Sequence, residues 1–167
     1  MTLDECNKVL QEVGDSIPET TEILVVGGYC MLAQNARLQT SNIDFIPAYR
    51  DVSMPAKFDE VLSSDITLIP YLHLSFRKLK KYCAKVMTFG RLIVYLAGND
   101  LLMALKLISA QNRSSEQDLI DLTALCGKAS PKKAFEAYSL VSTSSTDYRS
   151  FKEDLEIETL LAKSISC

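Results

Sequence analysis

Hydrophobic positions change rhythm along this chain, and the change divides it. Leu3, Cys6, Val9, Leu10 and Val13 recur at helical spacing, which predicts a first helix bounded by Gly14 and Pro18. A nearly continuous apolar run then predicts a strand over 22–27. Gly27-Gly28 turns the chain, 29–36 reads as a short helix, and a second strand over 42–47 ends at Pro47. Residues 84–88 and 91–96 read as two strands joined by a tight turn at Phe89-Gly90. Beyond them the period becomes helical. Asn99 is an N-cap candidate, and Leu101, Leu102, Leu105 and Ile108 form an apolar stripe. Ser115 caps the next helix, and Gly127 stops it. Ser130-Pro131 opens another helix, to about Val141. The polar residues 142–146 lead to a last amphipathic helix from Tyr148 to Ser164, with Leu155, Leu160 and Leu161 on its apolar side. Strands first and helices afterwards predict an α+β fold with a mixed sheet and a helical C-terminal part.

The middle is harder to read. Residues 48–54 read as a loop, and Pro55 suits the first turn of a helix through about Leu62. Weak alternation from Asp65 is interrupted by Pro70, and Leu74 to Tyr82 reads as a helix. That last segment carries Arg77-Lys78-Leu79-Lys80-Lys81, which spread around a helix and read by default as a solvated face, the alternative being a phosphate-binding patch.

Composition narrows the classes. The 167 residues are 47% hydrophobic and 23% charged, ordinary for a globular chain. No apolar run reaches the about 18 residues that a membrane-spanning helix needs. The acidic start, Met1-Thr2-Leu3-Asp4-Glu5, lacks the features of a signal peptide, so a cytoplasmic protein without a membrane partner is expected. A net charge of -3 gives no general attraction to nucleic acid. Cys6, Cys30, Cys83, Cys126 and Cys167 are scattered and contain no C-x-x-C pair, so neither zinc site nor disulfide framework is suggested.

Chemistry concentrates around the glycine turn. Without Cβ atoms, Gly27 and Gly28 let other groups approach the backbone closely. Asn42 and Asp44, at i and i+2 on a strand, project from one face and offer oxygen ligands for a divalent cation. Arg37 and Thr40 lie just before them; Arg37 either contacts phosphate or points to solvent. Tyr29 either packs on the sheet or stacks on a base. Lys106 interrupts the apolar stretch LLMALKLI. Facing inward it needs a partner, for which Asp118 and Asp121 are placed; otherwise it reaches past the stripe to solvent. His73, the sole histidine, has no Cys, Asp or Glu at ligand spacing and reads as structural.

Gly27-Gly28, a short helix, Arg37, Thr40 and the strand Asn42-Ile43-Asp44 resemble the nucleotidyltransferase, or polymerase-beta-like, superfamily. Within it the chain looks most like a bacterial group related to the AbiEii-type toxins. The segment 91–107, with Lys106, and the pair Asp118 and Asp121 extend the likeness over roughly residues 20 to 130. The resemblance implies a nucleotidyltransferase-like domain over 1–130 and a helical extension over 131–167. It also implies catalytic roles for Asp44 and Lys106 and metal ligation by Asn42 and Asp44. Nucleotide contacts fall to Gly27, Gly28, Arg37 and Thr40, with secondary roles for Asp118 and Asp121. Asn42 stands where the family has a first aspartate, which removes a charge and implies weak magnesium binding. A third carboxylate is not evident on 84–88 or 91–96; Asp51 and Asp65 are the remaining candidates. Two functions stay open. One is a nucleotide-binding protein with a degenerate metal motif, little turnover and a protein partner or second copy. The other is an active magnesium-dependent nucleotidyltransferase acting on RNA or protein from a nucleoside triphosphate, in a toxin–antitoxin or phage-defence setting.

Overall fold

The computed structural model describes residues 1–48, 66–68, 76–113, 116–142 and 146–165. Residues 49–54 of the loop expected over 48–54, the helix at 55–62, Asp51, Asp65, His73 and the Ser115 cap lie outside them. Packing divides the chain into two compact units, Met1–Gly98 and Asn99–Cys167. The first holds the sheet and the second is helical, so the α+β class and the mixed sheet are as expected.

The first unit opens with α1 (Leu3–Ser16). Thr2 and Glu5 form a reciprocal capping box at its start, in which Thr2 N–H donates to Glu5 Oε2 at 2.7 Å. That hydrogen bond lowers the Glu5 pKa below the ordinary carboxylate value. The helix runs past Gly14, which the sequence placed at its boundary. Glycine is required there, because a Cβ would overlap the Phe89 carbonyl. Next come β1 (Thr21–Val26), α2 (Gly28–Ala33), β2 (Ile43–Pro47) and β3 (Ile66–Leu68). The helix expected over 74–82 breaks within its described part: α3 (Phe76–Leu79) passes into a 3-10 turn (Lys80–Tyr82). That tight turn delivers the chain into β4 (Cys83–Phe89), which Gly90 and Arg91 connect to β5 (Leu92–Ala97).

The sheet order is β3-β2-β1-β5-β4. β1 lies antiparallel to β2 and parallel to β5, while β4 runs antiparallel to β5. Helices α1 and α2 cover one face, where Cys6, Leu10, Val13, Tyr29 and Met31 are buried. Phe76 of α3 packs edge-on against Tyr95, which shares the opposite face with Leu24.

The second unit contains α4 (Asn99–Arg113), α5 (Glu116–Leu125), α6 (Pro131–Val141) and α7 (Tyr148–Ile165). α4 packs on both α5 and α6, so its buried set is wider than one stripe. Met103, Ala104, Leu107 and Ala110 are buried beside Leu101 and Leu102, whereas Leu105 and Ile108 are half-buried. Asn99 is the first residue of α4 rather than a cap before it, and its Nδ2 donates to the Lys128 carbonyl at 3.4 Å. Ser130 occupies the N-cap of α6 but makes no side-chain cap; Asp100 Oδ1 accepts its N–H at 2.7 Å instead. Phe135, Tyr138 and Phe151 join α6 to α7, with ring centroids 5.5 Å apart for Phe135–Phe151 and 5.2 Å for Tyr138–Phe151. Leu155 is buried as expected, but Leu160 is 65% exposed. The division drawn from likeness kept α4 and α5 with the sheet; packing groups them with α6 and α7. Among the described residues, no helix is long and apolar enough to cross a membrane.

Candidate functional site

Gly27 follows the last residue of β1, and the register pairs Val26 with Asp44. The glycine turn and the β2 motif therefore meet at one end of the sheet. Gly27 has φ 68 and ψ -142, a conformation open mainly to glycine. A Cβ there would sit 2.7 Å from Asp44 Oδ2. A Cβ on Gly28 would overlap Thr40 Oγ1 and lie 2.8 Å from Arg37 Nη1. Both glycines thus admit the protein's own polar groups. Arg37 is held, half-buried, against the turn rather than extended into solvent.

Thr40 is buried, and two contacts fix it: Oγ1 donates to the Asn42 carbonyl at 3.1 Å, and its N–H donates to the Met1 carbonyl at 2.9 Å. Asn42 immediately precedes β2. Its Nδ2 donates to Asp44 Oδ1 at 2.8 Å and to Thr67 Oγ1 at 2.9 Å. Asp44, once ionised, only accepts, so the amide must turn its nitrogen toward it. Asn42 Oδ1 accepts from Ser41 Oγ at 3.2 Å. Thr67 escaped the sequence reading; it joins the cluster because β3 lies parallel to β2, opposite Asp44.

This arrangement does not fit a resident two-metal centre. Such a centre places paired carboxylates around cations. Here Asn42 supplies N–H donors to Asp44 and Thr67, occupying the position from which a second carboxylate would ligate. Among the described residues, no three His, Cys, Asp or Glu side chains gather to hold a metal.

Behind the turn, Tyr29 is fully buried and donates to Asn7 Oδ1 at 2.7 Å. It packs inside the sheet unit and offers no surface for stacking. Burial pushes its pKa upward. Cys30 Sγ donates to the Val25 carbonyl at 3.0 Å, and burial likewise pushes that thiol well above its ordinary value. Cys83 is raised to about 11, chiefly by burial. Cys6, Cys30, Cys83 and Cys126 form no disulfide.

No protein-family model, no curated protein and no solved structure matches this chain. The site is read from its own atoms.

Lys106 belongs to the helical unit and points inward. Its Nζ lies 2.6 Å from Asp118 Oδ1 and 2.7 Å from Asp121 Oδ2. The side chains are nearly enclosed, at 12% exposure for Lys106, 8% for Asp118 and 1% for Asp121. Gln117 Nε2 adds a hydrogen bond to Asp121 Oδ1 at 3.1 Å. The two aspartates, three apart on α5, project from one face toward α4 and enclose the ammonium.

Proposed function

We propose that this chain is a nucleotidyltransferase-like protein that binds a nucleotide at the glycine-turn end of its sheet and transfers little or none of it. The hydrogen bond from Asn42 Nδ2 to Asp44 Oδ1 carries the reading. It gives Asp44 a neutral donor where transfer chemistry needs a second anionic ligand. Losing that ligand weakens stabilisation of charge developing at phosphate. Arg37, gathered on Gly28, supplies a guanidinium suited to phosphate oxygens, and Thr40 secures the turn beside it through its hydrogen bond to the Asn42 carbonyl. Asp44 is the carboxylate that would hold a cation brought by the nucleotide.

Titration calorimetry with ATP, GTP, CTP and UTP, each with magnesium and with a chelator, tests the binding. At least one nucleotide should bind, more weakly with the chelator, and Asp44→Ala should weaken it further. Asn42→Asp should raise manganese affinity about tenfold, one added carboxylate ligand being worth roughly 1.4 kcal/mol. Incubation with α-labelled nucleotides, cell RNA and protein tests transfer. Label moved by wild type and abolished in Asp44→Ala would replace this reading with an active enzyme. Transfer by Asn42→Asp alone would identify a degenerate one.

A further inference from the structure

We propose that the outer edge of β4 is a docking strand for an acidic, extended peptide of a partner protein. β4 is last in the sheet order and pairs with β5 along one side. Among the described residues, no strand pairs with its other side. Such an edge offers backbone N–H and C=O groups to any extended chain laid beside it. Edges are commonly guarded by bulges and lysines, and β4 has both at its start: a register shift between Cys83 and Lys85, and Lys85 itself. The following Val86-Met87-Thr88-Phe89 carries no charge, and Val86 is 54% exposed. The guarded part is short and the open part is apolar enough to receive a strand.

Charge selects the occupant. The chain as a whole is acidic, yet residues 77–85 hold Arg77, Lys78, Lys80, Lys81 and Lys85 without one Asp or Glu. All five cations are exposed. Lys80 is engaged, lying 3.5 Å from Glu22 Oε1 and 4.1 Å from the Tyr95 ring centroid. Among the described residues, no carboxylate pairs with Arg77, Lys78, Lys81 or Lys85. The break at Leu79 ends α3, and the 3-10 turn, with Lys80 and Lys81 on it, leads into the edge strand that carries Lys85.

Alternatives to an acidic peptide fit less well. A second copy pairing through β4 would bring its own cations against these. Single-stranded nucleic acid is bound on exposed aromatic platforms. Among the described residues, the aromatic rings of this region, Phe76, Tyr82, Phe89 and Tyr95, are buried. The edge supplies backbone pairing and the cations supply side-chain recognition, the combination used in strand addition.

The test uses the full chain and a fluorescent peptide of alternating Glu and Val, as long as β4. Controls are a Lys–Val peptide, a Glu–Val peptide N-methylated at alternate residues, and a labelled single-stranded RNA. Anisotropy should show saturable binding of the Glu–Val peptide alone, and amide exchange should slow within 83–89. The double variant Arg77→Glu/Lys78→Glu, both exposed positions, should bind about tenfold more weakly while melting like wild type. Absence of binding, equal binding of the Lys–Val or N-methylated peptide, binding of RNA alone, or protection outside β4 would each overturn the proposal.

Discussion

The chain holds two polar clusters whose physical surroundings differ sharply. At the sheet end, Asn42, Asp44 and Thr67 are half-buried or exposed and are joined through a neutral amide. In the helical unit, Lys106, Asp118 and Asp121 are nearly enclosed and are joined as ions. The first cluster can exchange its hydrogen bonds for those of water or a ligand at modest cost. The second cannot, since each ion depends on the others for the solvation that it has lost. The two clusters therefore differ in what their surroundings allow. Openness suits the first to binding, and enclosure suits the second to fixing α5 against α4.

The largest expected effect tests the enclosure. Lys106→Met should destabilise the helical unit by about 3–5 kcal/mol, because two buried carboxylates lose their cation. Urea unfolding followed by helical circular dichroism measures it. Adding Asp118→Asn and Asp121→Asn should restore much of the loss. A single variant that melts like wild type would mean that Lys106 contributes as a surface residue does.

A smaller effect tests the glycine turn. Gly28→Ala should cost about 1–3 kcal/mol in the sheet unit through overpacking against Thr40 and Arg37. Thr40→Gly in the same chain should recover part of it, because the overlapping hydroxyl is gone. No change in melting on Gly28→Ala alone would show that the turn has room to spare.

The smallest effect concerns pH and falls on the sheet unit. The ordinary thiol value is 9.0, and burial raises Cys30 far above it. In alkali the unfolded chain releases this proton first, so stability is full below about pH 9 and declines as pH rises further. Cys30→Ala should flatten that decline, which thermal melts across the alkaline range would measure. A decline unaltered by the substitution would assign it to other groups, Tyr29 among them.

Local pattern made much of this legible. Asn42 and Asp44 stood out because alternate strand positions share a face, and Lys106 because a charge within an apolar helical stretch requires an explanation. The position of Gly27-Gly28 at the end of β1 followed from the break in the apolar run. Partners distant in sequence were not legible. Thr67 enters through a three-residue parallel strand, which carries too short a pattern to announce its neighbour. Asn7, the partner of Tyr29, lies on a helix face whose apolar stripe points elsewhere in the sequence reading. The break of the 74–82 helix at Leu79 was hidden because its residues all suit a helix. Packing of Phe76 on Tyr95 and entry into β4 decide the conformation there. Leu160 was misplaced for the opposite reason: it fits the helical period, yet the groove beside it stays open.

The parallel pairing of β1 with β5 has a consequence for synthesis. Ile23 lies opposite Val94, 71 residues later in the chain. At about 5–20 residues per second, a ribosome takes roughly 4–14 s to make the intervening stretch. Throughout that interval Ile23, Leu24 and Val25 lack their β5 neighbours and present an apolar strand with an unpaired side. The nascent chain is most exposed to aggregation or chaperone capture in this window. It closes when 92–97 emerges and the sheet gains its missing interior strand.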